Sequence, residues 1–270
     1  MRHHGTSRFI RLAGAAGLVA GATLGATSTA ANADHVDETV VVTEKGATGD
    51  LSIPEYGEPS TTPTTFTAAA SSIGSGSLLV EPIGSAPADK FIGYVAYDGM
   101  PASEFESLSV DFQLASGIED VQDFYLNVYA ITEAGETFYN CRYDQVATTG
   151  TEDGFTTLSV NADEPTTSVT TRKTASECPA TIAELPEGST INYAAINVGQ
   201  STASDEGTSG YLDNVIVDNE LDSTAYDLEK IPASKDDCKN GGFAFTGGEF
   251  ENQGECVASF AKQSNSGKKG

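Results

Sequence analysis

Seven residues near the middle of the chain set its fold class. Leu108, Val110, Phe112 and Leu114 alternate with Ser109, Asp111 and Gln113. Period-two alternation sends successive side chains to opposite faces, so this stretch reads as a strand with one buried face. Leu126, Val128 and Ala130 alternate with Tyr125, Asn127, Tyr129 and Ile131. Both faces there are partly apolar, which predicts a central strand. Further strands are expected at Ser77–Glu81, Phe91–Tyr97, Thr137–Tyr143, Phe155–Val160, Val169–Arg172, Asn192–Asn197 and Tyr211–Val217, divided by clusters of Gly, Asp, Ser and Thr. About nine short strands at this spacing predict an antiparallel sandwich or barrel. One segment reads as helix, Pro179–Leu185, with Pro at its first position and Pro186 and Gly188 as stops.

The ends of the chain differ from this middle. Arg2, Arg8 and Arg11 precede an uncharged run, Leu12–Ala26, and the small residues Ala31-Asn32-Ala33 follow. That three-part order is a secretory signal peptide over residues 1–33, and its apolar run is too short to span a bilayer. No Cys follows the cleavage point and the C-terminus is polar, so no membrane anchor is expected. Residues 34–65 read as an N-terminal linker, rich in Pro and Thr, with one edge-strand candidate at Thr39–Thr43. The sandwich is expected over 66–230. Residues 231–270, with turn signals at Asn240-Gly241-Gly242 and Gly247-Gly248 and a set of Phe at 243, 245 and 250, form a small C-terminal module.

Cysteine and charge narrow the chemistry. Cys141, Cys178, Cys238 and Cys256 in an exported chain predict two disulfides. Three pairings are available, and sequence neighbours favour Cys141–Cys178 and Cys238–Cys256. Closing the second loop would stabilise a small unit by roughly 3 kcal/mol. The chain carries 39 acidic residues against 14 basic ones, three of them in the leader. Such a surface repels phosphate backbones, so nucleic acid is not an expected partner. After the leader only His35 remains, which removes the base for a Ser–His–Asp or Cys–His arrangement and the ligands for a His-rich zinc site. Paired carboxylates would suffice for a glycoside hydrolase. Glu104, Glu106, Asp111, Glu119, Asp120 and Asp123 lie near expected strand ends, but no pair among them stands out, and no catalytic residue is assigned.

Two stretches carry resemblances. Cys238-Lys239-Asn240-Gly241-Gly242-Phe243 and Phe250-Glu251-Asn252-Gln253-Gly254-Glu255-Cys256-Val257 resemble a short C-terminal module of exported bacterial proteins of unassigned function. Phe243 stands where that module has Trp, and Glu251 and Glu255 where it has Lys and Gln; the Cys and Gly frame is kept. Gly76-Ser77-Leu78-Leu79-Val80, Leu108–Phe112 and above all Gly210-Tyr211-Leu212-Asp213-Asn214-Val215-Ile216-Val217 resemble strands of jelly-roll sandwiches of the galactose-binding and carbohydrate-binding type. The resemblance implies an all-β, jelly-roll-like antiparallel sandwich. In such modules an Asp of the closing strand often helps to hold a structural calcium, and Asp213 matches that position. There is no EF-hand, since Asp236–Gly241 has Cys at its third place.

Sugar faces stack on flat rings. The chain has no Trp, but Tyr94, Tyr97, Tyr125, Tyr129, Tyr139 and Tyr143 are available. Tyr125 and Tyr129 share one face of one strand and are the expected ligand-binding pair. The expected function is that of a secreted, non-catalytic binding or surface-interaction protein whose partner is an extracellular glycan or envelope component. A secreted polysaccharide hydrolase using two carboxylates and a purely structural extracellular protein are the alternatives.

Overall fold

The computed structural model describes residues 36–53, 64–74, 76–81, 90–115, 123–134, 136–172, 177–199, 209–230, 235, 238–239 and 252–266. The leader, Glu119, Asp120 and the three Phe of the C-terminal module lie outside them. The strands are β1 (Glu38–Val42), β2 (Gly46–Thr48), β3 (Leu51–Ile53), β4 (Thr64–Thr67), β5 (Ser77–Val80), β6 (Phe91–Pro101), β7 (Phe105–Leu114), β8 (Phe124–Ile131), β9 (Cys141–Val146), β10 (Thr156–Asn161), β11 (Ser168–Thr171), β12 (Thr190–Val198), β13 (Gly210–Asn219) and β14 (Ser223–Leu228). One α-helix, α1 (Gln253–Ser266), follows.

The strands form two seven-stranded sheets packed as a jelly-roll-like sandwich. In the first sheet, β7 pairs β13 on one side and the edge strand β10 on the other. The opposite edge of β13 is shared: β5 pairs its first half and β14 its second. The second sheet runs β11-β9-β8-β12-β6-β3-β2. All described pairings are antiparallel except β1 with β14. The alternation read from the sequence is the burial pattern observed. Leu108, Val110, Phe112 and Leu114 of β7 meet Phe124, Leu126, Val128 and Ala130 of β8 in one core. Phe112 and Phe124 stack across the sandwich at 4.7 Å. Gly210 lies against that stack; a Cβ there would run into the Phe124 ring and the Gln113 carbonyl, so only glycine fits.

Three expectations need correcting. The edge strand expected at Thr39–Thr43 is β1, at the border of the first sheet, but residues 46–53 are not linker: β2 and β3 extend the second sheet, and Leu51 and Ile53 are core residues. Their short apolar sets are too brief for periodicity to register. The Asp50 N–H donates to the Tyr226 hydroxyl at 3.0 Å and ties this segment to β14. The expected helix at Pro179–Leu185 is a single 3₁₀ turn at Ile182–Glu184, cut short by Pro186. Conversely, the expected turn-rich module contains a 14-residue helix, α1. Asn252 caps it, its Oδ1 accepting the Glu255 N–H at 3.1 Å, and Asn252-Gln253-Gly254-Glu255 has the spacing of a capping box. Both disulfides pair as expected, Cys141–Cys178 and Cys238–Cys256.

Candidate functional site

The outer face of the second sheet gathers several aromatic residues that the core does not use. Opposed residues of paired strands share a face. Tyr193 of β12 lies between Tyr129 of β8 and Ala96 of β6; Ala195 lies between Asn127 and Tyr94; Asn197 lies between Tyr125 and Ile92. On the far side of β8, Tyr129 pairs Arg142 and Asn127 pairs Asp144 of β9. Tyr129 and Tyr193 stack at 4.2 Å, and Tyr94 stands 6.2 Å from Tyr193.

The β8–β9 connection folds over one end of this row. Thr137–Tyr143 was expected as a strand, but the strand starts at Cys141. Asn140 Oδ1 accepts the N–H groups of Thr132 and Glu133, and Glu136 Oε1 accepts those of Thr137 and Phe138. These local bonds compete with the ladder and bend the chain. Tyr139 packs edge-on to Tyr129 at 5.1 Å, and Phe138, 46% exposed, lies 5.6 Å from Tyr193. The Arg172 guanidinium covers both, 5.3 Å from Phe138 and 5.1 Å from Tyr139. The Cys141–Cys178 bond anchors this corner: the Cys178 N–H donates to Thr171 Oγ1, and the Arg172 N–H donates to the Asn140 carbonyl at 2.8 Å.

A hydrogen-bonded array lies beside the rings. Arg142 donates to both oxygens of Asp144 at 2.7 Å, a fork-to-fork pair. Asn127 donates to Asp144 at 2.7 Å and accepts from Asn197 at 2.9 Å. Burial is the main cause that pushes the Tyr125 and Tyr129 hydroxyls up to about 12, so both stay neutral donors and acceptors. At the Tyr125 end, Lys90 Nζ lies 3.4 Å from the Tyr125 hydroxyl and 5.9 Å from its ring.

The two expected ligand-binding tyrosines therefore share this half-buried face, but Asn127 separates them and Tyr129 stacks across strands instead. Tyr94 and Tyr139 join the same surface. Tyr97 and Tyr143 have the opposite parity and point into the core. Sequence reasoning missed Tyr193, Phe138, Arg142 and Arg172. All four belong to expected strands, but which of them share this face depends on the β8–β9 bend and on cross-strand register.

Asp213 has a different setting. It is fully buried at the seam where the β13 edge passes from β5 to β14. Asn214 takes a positive φ of 45° there, and the pairing register breaks. Asp213 Oδ2 accepts Ser72 N–H at 2.8 Å, Ser72 Oγ–H at 3.1 Å and Ile73 N–H at 3.2 Å. Its Oδ1 accepts Asn214 N–H at 2.8 Å and Leu228 N–H at 3.1 Å. Five donors occupy the lone-pair sites of one carboxylate. Burial nonetheless pushes its pKa up, against the pull of the four backbone donors. Asp227 and Glu229 are buried alongside and hydrogen-bonded to each other, and among the described residues Asp227 Oδ1 has no hydrogen-bond partner. Burial first, then Glu229 and Asp213, hold the Asp227 carboxyl well above its ordinary 3.8. Among the described residues, no group of three or more His, Cys, Asp or Glu is arranged around a common metal position.

The remaining carboxylates of interest hold separate places. Asp111 accepts from Thr157 Oγ1 at 2.6 Å and Asn214 Nδ2 at 3.0 Å. Glu104 sits in a 3₁₀ turn, Glu106 is exposed on β7, and Asp123 is buried at the start of β8. A hydroxyl-lined groove along β10, between Thr148, Thr157, Ser159 and Thr166, contains none of the face's rings.

No family model and no curated protein matches the chain. Among solved structures it is similar to a family 11 carbohydrate-binding module from Clostridium thermocellum in complex with a β-1,3-1,4-mixed-linked tetrasaccharide: TM-score 0.39 and 11% identity, over 68% of this chain and 92% of that one. The family 11 module of the C. thermocellum cellulosomal cellulase Lic26A-Cel5E gives TM-score 0.38 and 11% identity, over 60% and 84%. A β-1,2-glucanase from Parabacteroides distasonis gives TM-score 0.30 and 17% identity over 70% of this chain, which spans 24% of that enzyme.

Proposed function

We propose that the chain is a secreted, non-catalytic glycan-binding protein whose ligand lies on the outer face of the second sheet. One observation carries this reading: Tyr94, Tyr193, Tyr129, Tyr139 and Phe138 make a continuous row outside the core, with carboxamides and a guanidinium beside it. A row of rings that stabilised only the fold would point inward, as Tyr97 and Tyr143 do. Rings offer apolar faces to sugar C–H groups, while Asn, Asp and Arg side chains match hydroxyl pairs. The test is retention of the mature chain on a panel of polysaccharides, with the soluble fraction assayed for released sugar. Tyr129→Ala and Tyr193→Ala are expected to weaken retention at least tenfold with an unchanged fold by circular dichroism. Release of sugar would replace this reading with hydrolysis, and retention unaffected by either variant would move the site elsewhere.

We also propose a structural calcium at Asp227 and Glu229, beside the Asp213 expected from the sequence. The partnerless, buried Asp227 Oδ1 supports it. Calcium takes oxygen ligands, carbonyls among them, and bound there it would compensate buried charge. Asp213 is committed to its five donors and serves as the neighbour that holds the seam.

A further inference from the structure

The glycan reading leaves the sign of the ligand open, and the placement of arginine addresses it. Beyond Arg11 the chain has two arginines, Arg142 and Arg172, among 39 acidic residues. Both stand on the aromatic face, and Lys90 stands at its other end. On so acidic a surface, chance alone favours a carboxylate beside each cation. Among the described residues Arg172 has none: its guanidinium lies over Phe138 and Tyr139, and only its backbone is otherwise bonded. Arg142 gives Nε and one terminal nitrogen to Asp144, which leaves its other terminal nitrogen outside that fork. Three carboxylates of this region are committed or withdrawn. Asp144 is held by Arg142 and Asn127, Glu136 Oε1 turns onto two backbone N–H groups, and Asp123 is buried.

We propose that this face selects acidic glycans, polymers carrying carboxylates on their sugar rings. The proposal rests on the glycan reading above and names its ligand class. Guanidinium groups bind carboxylates in a planar fork, and a ring-stacked guanidinium is held ready for one. The cations are spaced along the row: β8 rises about 13 Å from Tyr125, near Lys90, to Tyr129, near Arg172. A polymer with repeating carboxylates can meet both ends while its rings lie on the tyrosines. The acidic body repels such a polymer at long range, but at 0.15 M salt that field decays within about 8 Å, whereas contact pairs persist.

The experiment compares one uronate-bearing polysaccharide with the same polymer after its carboxyls are reduced to alcohols. Affinity is measured at 0.15 M sodium chloride without added divalent ions. The wild-type chain is expected to bind the acidic polymer at least tenfold more tightly. Arg172→Gln is expected to remove most of that difference, affinity for the acidic polymer falling at least fivefold more than affinity for the reduced one. Arg172→Lys, which keeps charge but loses the fork, should fall between them, and melting temperatures verify that each variant folds. Equal wild-type affinity for both polymers, with Tyr129→Ala lowering both, would overturn the charge selection and keep the glycan site. Binding to neither these nor any panel polysaccharide would overturn both.

Discussion

Replacing Asp213 by Asn separates the two opposing contributions at the seam of the first sheet. The substitution keeps shape and turns one acceptor oxygen into an NH₂ donor. In one orientation that group faces the N–H groups of Asn214 and Leu228, in the other those of Ser72 and Ile73. Either way two backbone donors in a buried place lose their acceptor, at about 1–3 kcal/mol each. Relief of a desolvated charge runs the other way, because burial outweighs the donors and raises the Asp213 pKa, and Asp227 lies close by. Since two N–H groups and a seam are lost against one partly compensated charge, a net destabilisation of about 2–4 kcal/mol is expected. For a domain of this size that lowers Tm by about 6–12 °C. Calorimetry at pH 7 on wild type and Asp213→Asn measures it, and glycan retention, proposed for the other sheet, should not change. An unchanged or higher Tm would refute the reasoning and show that the buried charge, rather than the five hydrogen bonds, dominates.

Three further measurements follow. Removing Cys141–Cys178 by paired Ser substitutions opens a loop of 37 residues and should destabilise by about 4 kcal/mol in the chain-entropy model, read as denaturant midpoint. The same variant should bind glycan more weakly than its stability loss explains, because Arg172 and the Phe138–Tyr139 bend hang on that bond. In EDTA, Tm should fall as pH rises from 4 through neutrality, since the folded state holds a proton on Asp227 that the unfolded chain, at the ordinary 3.8, has released. Calcium should raise Tm most at the alkaline end and do nothing for Asp227→Asn; a flat pH profile that ignores calcium would end both the shared-charge account and the metal proposal.

The sandwich was legible because its long strands advertise their faces. Leu108–Leu114 of β7 and all of β8 keep apolar residues at every second position, and register then carries that pattern across the sheet. The short strands β2 and β3 were not legible, since three residues make no period and their burial is imposed by β6. Of the site, the shared face of Tyr125 and Tyr129 followed from parity alone. Tyr193 required the β8–β12 register, with its irregularity between Ile191 and Tyr193, and no local signal encodes that. Phe138 and Tyr139 were assigned to a strand because the hydrophobic run continues through them. The bend depends on Asn140 and Glu136 side chains capturing backbone donors, a competition that periodicity does not weigh.

The disulfide at Cys141 connects fold to ligand face more closely than its distance from the rings suggests. Cys141 is the first residue of β9, so the bond fixes where the β8–β9 bend ends and the ladder begins. Cys178 lies beyond Arg172, and its N–H bond to Thr171 holds the end of β11 against that same corner. The Arg172 N–H bond to Asn140 closes the circuit, leaving the guanidinium little choice but to lie over Phe138 and Tyr139. A staple placed for stability alone could join any two strands of the sandwich. This one encloses Arg172 and begins one residue after Asn140, which holds the bend, so at the proposed site it would act on pre-organisation by removing the ordering cost of a free hairpin.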